Sequence, residues 1–265
     1  HLARMGQGVE IRDENPAPGG MMAYGIPEYR LPREGLEREI TRVTTLPGVT
    51  LRCGERVDDA ARARREGCFD AVFVAVGAQL SNHLDIPAVD GRRIVDAVGL
   101  LDQVRRDEHP SLGRVVVVVG AGNTAMDAAR TARRLGAEEA VLVYRRDAAH
   151  MGAHPHEAAE AFAEGVKVKW VSTVRQFGAE GVVIEKMALD ADGNVTPTGE
   201  TERLAADSVL LAVGQHSDLS LLGGAPKAIV SQGVVTMTPQ DHSGFDHRGR
   251  VLVTVKDGKF VMVKD

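Results

Sequence analysis

At 265 residues, with 43% hydrophobic content and 29 glycines, the chain is long enough to build one large core or two smaller ones, and is expected to be soluble and globular. A net charge of −5, with Arg62, Arg64, Arg65, Arg105 and Arg106 scattered among acids rather than forming a stripe, argues against nucleic acid as a partner. No apolar run reaches membrane-spanning length, and two cysteines, Cys53 and Cys68, exclude iron–sulfur ligation by this chain alone and agree with a reducing, cytoplasmic setting.

In chain order, residues 1–6 read as a helix end and turn, followed by a strand from Val9 to Asp13. Asp70-Ala-Val-Phe-Val-Ala-Val-Gly77 reads as a strand closing this first part. A connection over 84–111 then carries a predicted helix at 95–107. Val115 to Val119 is a five-valine run, suited to a parallel strand buried on both faces. It leads directly into Gly120-Ala-Gly122-Asn123-Thr124-Ala125, a Gly-x-Gly-x-x-Ala loop opening a helix. Gly120 permits the tight turn, Gly122 lets backbone approach a pyrophosphate, and Ala125 is small enough for close packing of helix on strand. The phosphates would sit on free N–H groups at the helix start.

That helix shows an apolar stripe of Ala125, Ala128, Ala129, Ala132 and Leu135, with Gly136 as its stop. Asp127 near its start and Arg130, Arg133 and Arg134 towards its end are read as complementing the helix dipole. The next strand, 140–143, is followed by Arg145 and Arg146. A ribose 2′-hydroxyl calls for a carboxylate there, a 2′-phosphate for cations, so the pair points to NADP(H) rather than NAD(H). The alternative is a solvated strand end, with Asp147 beside it. His150, His154 and His156 cluster next, but Pro155 is expected to impose an extended segment and no helical i,i+4 pair exists. They are read as a loop before a helix over 157–164, near the adenosine end of NADPH, and not as a metal site. Beyond lie a strand at 182–189, a turn at 190–194, a polar stretch up to Ala206, and Asp207-Ser-Val-Leu-Leu-Ala-Val-Gly214. The final residues, 251–263, read as a β-hairpin with an Asp-Gly turn.

Two features repeat. Residues 1–6 and 9–13 parallel residues 131–136 and 141–145, and the segments ending at Gly77 and Gly214 close alike. The fold class expected is therefore α/β, with two Rossmann-like dinucleotide-binding units and a β-rich excursion. Asp13 stands where Arg145 stands, so the first unit carries an acid suited to a ribose and the second a cation suited to a phosphate: FAD first, NADPH second. The same register places the first glycine loop before residue 1, so the FAD-type unit reads as incomplete, a fragment lacking its first strand. The expected division is 1–112 for that unit with its connection, 113–215 for the NADP(H) domain, and 216–265 for a return to the first unit.

The segment Pro18-Gly-Gly20-Met-Met-Ala-Tyr-Gly25-Ile-Pro-Glu-Tyr-Arg30-Leu-Pro, the Gly120–Arg130 run, Tyr144-Arg-Arg146 and both closing segments resemble one family. It is that of pyridine-nucleotide-dependent flavoprotein oxidoreductases typified by the small (beta) subunit of NADPH-dependent glutamate synthase. The resemblance implies that Gly19, Gly20, Gly25 and Ile26 line the flavin side, that an extended stretch at 29–32 runs past it, and that Val57 lies near the adenine. It also places Gly77 and Gly214 at strand ends close to the cofactors. By the same resemblance hydride passes from NADPH to FAD. Electrons then leave for an iron–sulfur partner such as a glutamate synthase large subunit, a dihydropyrimidine-reducing partner or a ferredoxin-like carrier. The cofactors do that chemistry, and no acid, base or nucleophile is assigned. The chain departs from the family near its C-terminus, where the flavin-contacting Gly-Asp pair is missing and Ser243-Gly-Phe-Asp246 is at best a remnant. FAD is thus expected of a full-length parent, and a noncatalytic NADP(H)-binding fragment is the alternative.

Overall fold

The computed structural model describes residues 1–88 and 93–223 in full, and beyond them the backbone of strands 227–230, 233–236, 253–256 and 259–262. In chain order the elements are β1 (Val9–Asp13), α1 (Gly20–Tyr24), α2 (Arg33–Thr44), β2 (Val49–Cys53), α3 (Ala60–Glu66) and a short β3 (Leu80–Ser81). An alternating series follows: β4 (Arg93–Asp96), α4 (Ala97–Arg105), β5 (Val115–Val119), α5 (Asn123–Arg134), β6 (Glu139–Val143), α6 (Pro155–Ala163) and β7 (Lys167–Lys169). Three long strands, β8 (Ser172–Gly178), β9 (Gly181–Leu189) and β10 (Val195–Leu204), precede β11 (Ser208–Leu211).

Two compact units divide the chain, one formed by residues 1–54 and 80–215, the other by 55–79 and 216–265. The first is built on a five-stranded sheet in the order β4-β11-β5-β6-β7, parallel throughout. The valine run is its centre, as the two-sided apolar pattern requires. Val116 and Val118 face the helical side, sharing a core with Leu100 of α4, Ala125, Met126, Ala129 and Ala132 of α5, and Ala158 and Ala161 of α6. Val117 and Val119 point the other way, against Phe177, Val182 and Ile184 of the antiparallel β8-β9-β10 meander. Alternation along one strand thus serves two different covers.

Several expectations change here. The connection contributes a strand: β4 pairs in parallel with β11, and the helix expected at 95–107 begins at Ala97, where the Asp96 carboxylate accepts from Gly99 N–H at 2.7 Å. Residues in the polar stretch before Ala206 form β10, whose outward side chains are polar because that strand lies at a sheet edge. Pro155 does not extend its surroundings; it occupies the first turn of α6, where a missing N–H leaves no helical bond unmade. The stretch at 29–32 is extended only at Pro32, since Arg30 and Leu31 N–H both donate to the Pro27 carbonyl and form a turn.

The first unit also carries β1 and β2, paired in parallel from Val9 opposite Val49 to Asp13 opposite Cys53. In the second unit the expected strand ending at Gly77 is not formed: residues 71–77 lie in no sheet, and Phe73 is 69% exposed. A strand needs a neighbouring edge to satisfy its backbone, and none among the described residues supplies one. At the C-terminus Val253–Lys256 pairs antiparallel with Lys259–Met262, Lys256 opposite Lys259, as the hairpin reading requires. Residues 243–246 lie outside the described residues.

Candidate functional site

The loop between β5 and α5 is shaped by glycine for two separate reasons. Gly120 has φ +134°, and a Cβ there would stand 2.3 Å from the Ala212 carbonyl oxygen, so both backbone conformation and the approach of the β11 end demand glycine. At Gly122 φ is an ordinary −91° and a Cβ would meet nothing within 4 Å. The protein itself does not require glycine there. What the missing side chain provides is open space over the start of α5, whose first turn has no side-chain cap.

Ala125, completely buried, lets α5 sit close on the sheet. Asn123 reaches sideways, its Oδ1 accepting from His154 N–H at 2.8 Å, while Ala153 N–H donates to the Ala121 carbonyl at 3.0 Å. The start of α6 is thereby fixed to the loop. Thr124 lies in the first turn of α5.

Arg145 and Arg146 stand just past the end of β6, the first exposed and the second partly buried. Among the described residues neither is ion-paired, and Arg146 Nε is buried without a hydrogen-bond partner. Asp147 is not their counter-ion. Its carboxylate lies 2.7 Å from His150 Nδ1 and caps the turn at 148–150, and the His150 ring holds that carboxyl below its usual range. The Arg146 carbonyl accepts from the N–H of Val171, a β-branched residue at φ +50°, held there by Met187 N–H on its other side.

Asp13 ends β1 and accepts from the N–H and Nδ2 of Asn15 at 2.9 and 3.0 Å, both through Oδ1. Gly19 and Gly20 open α1, Gly25 closes it, and Ile26 N–H donates to the Met21 carbonyl. Gly214, two residues beyond the Ala212 that touches Gly120, accepts from Asn82 N–H at 2.9 Å. Gly77, exposed, and Val57, partly buried, belong to the second unit. The structure therefore gathers Gly120, Gly122, Asn123, Thr124 and Ala125 at one loop, with Arg145 and Arg146 at the end of the adjacent strand.

The dipole role given to Asp127 and Arg130 is too simple. Both are buried, and they belong to a charged junction that sequence reading missed. Arg30 pairs with Asp127 at 2.5 Å and with Glu157, while Arg130 meets Glu160 at 2.8 Å and Glu164 at 2.7 Å. Burial pushes the Asp127 carboxyl up to about 6, and the Arg134 and Arg130 guanidiniums hold Glu164 down at about 2. At the end of α5 Arg133 donates to the Ala137 and Glu138 carbonyls just past the helix, and Arg134 to the Arg130 carbonyl as well as to Glu164. The available signal was that α5 is small-residue-rich all round, which buries its charges along with its alanines. Among the described residues no cluster of His, Cys, Asp and Glu could hold a metal ion, and no described helix is long and apolar enough to cross a membrane.

A parallel α/β unit with a glycine loop at the start of α5 defines a dinucleotide-binding class of protein. The chain belongs to the pyridine nucleotide-disulphide oxidoreductase family, whose pattern matches residues 8–254, a family of NAD(P)H-dependent flavin oxidoreductases that use NADP(H) and FAD. It is 38% identical over 253 residues to the NADP(+)-dependent formate dehydrogenase subunit beta of Moorella thermoacetica, covering 90% of this chain and 36% of that one. To a Cereibacter sphaeroides protein named as a glutamate synthase [NADPH] small chain it is 35% identical, covering 87% and 61%. The chain thus spans about a third of the first relative's length and about three fifths of the second's. Mycobacterium tuberculosis FprA in complex with NADPH shares the fold, with a TM-score of 0.67 at 18% identity over 80% of this chain and 65% of that one.

Proposed function

We propose that this chain is the NADP(H)-binding part of a flavin oxidoreductase of the glutamate synthase small-chain type, passing reducing equivalents to an iron–sulfur partner. The observation that carries the reading is the Arg145–Arg146 pair, cationic, free of carboxylate partners among the described residues, and one strand away from a glycine loop. Gly122 leaves room for a pyrophosphate, the first-turn N–H groups of α5 donate to it, and the two guanidiniums meet a 2′-phosphate. When bound, NADPH supplies a hydride and a flavin accepts it. The residues of the chain bind and orient: Asp13 keeps Oδ2 for a ribose hydroxyl, and residues 19–26 offer the flavin-side segment. A partner subunit as the acceptor is supported by relatives named as subunits, and the free thiols of Cys53 and Cys68 suit a reducing cytoplasm.

A second reading, a noncatalytic NADP(H)-binding module, is favoured by one observation: among the described residues, 71–77 lie in no sheet, and β1 and β2 pair only with each other. The visible spectrum of the chain after incubation with FAD and desalting separates the two. A retained flavin band that bleaches on adding NADPH supports the oxidoreductase; a colourless protein that still binds NADPH supports the module.

A further inference from the structure

One turn beyond the glycine loop lies a buried charged junction that nucleotide binding does not use. The side chains of Asp127 on α5 and Glu157 on α6 are 4% and 6% exposed, and Arg30 pairs with both. Asp127 Oδ1 and Glu157 Oε2 are buried without hydrogen bonds, so losing the guanidinium would strip Asp127 of its ion-pair partner and leave Glu157 only His156 at 3.1 Å and Arg130 at 3.9 Å. Tyr29 adds packing to charge: its ring lies under the guanidiniums of Arg130 and Arg134, at 4.7 and 3.9 Å from its centroid.

Both ends of this junction are mechanically tied. On one side the starts of α5 and α6 are joined at the glycine loop through Asn123 with His154 and Ala121 with Ala153. On the other, Arg30 belongs to a turn closed on Pro27, and Gly25 and Ile26 N–H both donate to the Met21 carbonyl, so α1 follows the turn. A continuous run of contacts connects Gly122 to α1 by way of Asp127 and Arg30.

We propose that Arg30 is a positioning residue that registers the flavin-side segment, residues 19–26, against the pyrophosphate end of α5, so that nucleotide bound at the glycine loop orders α1. This rests on the reading that the loop takes NADP(H). Arg30 touches neither the loop nor Arg145 or Arg146, so its removal changes the coupling and not the binding site.

The test is hydrogen exchange, read by mass spectrometry on the full chain with and without saturating NADP+, alongside NADP+ titration. In the wild type NADP+ is expected to slow exchange in peptides covering residues 20–31 by about fivefold, the lower end of ordinary coupling between sites. In Arg30→Met, NADP+ affinity should stay within about threefold of wild type, well under one charged hydrogen bond, while the slowing disappears. Arg30→Lys, which keeps a cation within reach of one carboxylate, should restore part of it. Glu157→Gln, which keeps the shape of α6 and halves the junction, serves if Arg30→Met does not fold, and should reduce the slowing. NADP+ binding without protection of residues 20–31, or with equal protection in wild type and variants, overturns the proposal alone. Failure of the wild type to bind NADP+ overturns the nucleotide reading beneath it.

Discussion

Arg30 and Asp127, 97 residues apart in sequence, form an ion pair of 2.5 Å in which the aspartate side chain is only 4% exposed. Loss of water outweighs the attraction of Arg30, and the neighbouring Glu157 charge adds to it, so the Asp127 carboxyl rises from its ordinary 3.8 to about 6. Between those values the folded chain holds a proton that the unfolded chain has released. The contribution of this group to stability therefore falls as pH rises through that window and is a penalty above it. Two pKa units correspond to at most about 3 kcal/mol. Glu164 behaves oppositely, but its contribution is complete above its ordinary 4.5 and is lost only as pH falls towards about 2. Chemical denaturation of the wild type should accordingly show a rising midpoint from pH 7 to pH 5, and Asp127→Asn should flatten it. A midpoint that falls over that interval, or a rise unchanged in the variant, would contradict this assignment.

The proposed function makes coenzyme choice depend on Arg145 and Arg146, whose guanidiniums have no carboxylate partner among the described residues. Arg145→Ala should weaken NADPH binding by about 1.5–3 kcal/mol, the range for hydrogen bonds to charged groups, and leave NADH binding nearly unchanged. Titrating both coenzymes against both proteins decides it. Equal losses would reduce the pair to a solvated strand end.

The two glycines of the loop should fail differently. Gly120→Ala forces a side chain onto the Ala212 carbonyl at a φ that L-residues avoid, so it should destabilise the fold by about 1–3 kcal/mol from backbone strain alone. Gly122→Ala meets no protein atom and has an ordinary backbone, so the melting temperature should hold while NADP(H) affinity drops. Retained affinity in Gly122→Ala would mean that no pyrophosphate approaches that position.

Local pattern explains what could be read before folding. Five consecutive valines, the glycine spacing and the alanine stripe are properties of neighbouring residues, and β5, the loop and α5 follow from them. The position of Arg145 and Arg146 just past a strand end was legible because the apolar run at 140–143 marks that strand. Arg30 was not, because its partners are on α5 and α6 and only the fold brings them together. The strand ending at Gly77 was misread for the converse reason: Val72, Val74 and Val76 have the right alternation, but a strand exists only when an edge pairs with it. Pro155 was misread because the same residue that stops a helix interior is welcome at its first turn.

The meander supplies the last prediction, since β8 carries no motif and yet packs Val174 and Phe177 against one face of the central sheet. Phe177 on β8 is completely buried in the cluster that includes Val117, Val119, Val182 and Val209. Truncation to alanine opens a cavity that strands on both sides cannot collapse into, so Phe177→Ala should cost about 3–5 kcal/mol. Because Val117 and Val119 also lead into the glycine loop, the variant should lose secondary structure and NADP(H) binding in one transition on heating. Two separate transitions, with nucleotide binding surviving the first, would instead make the meander an appendage on a sheet that folds without it.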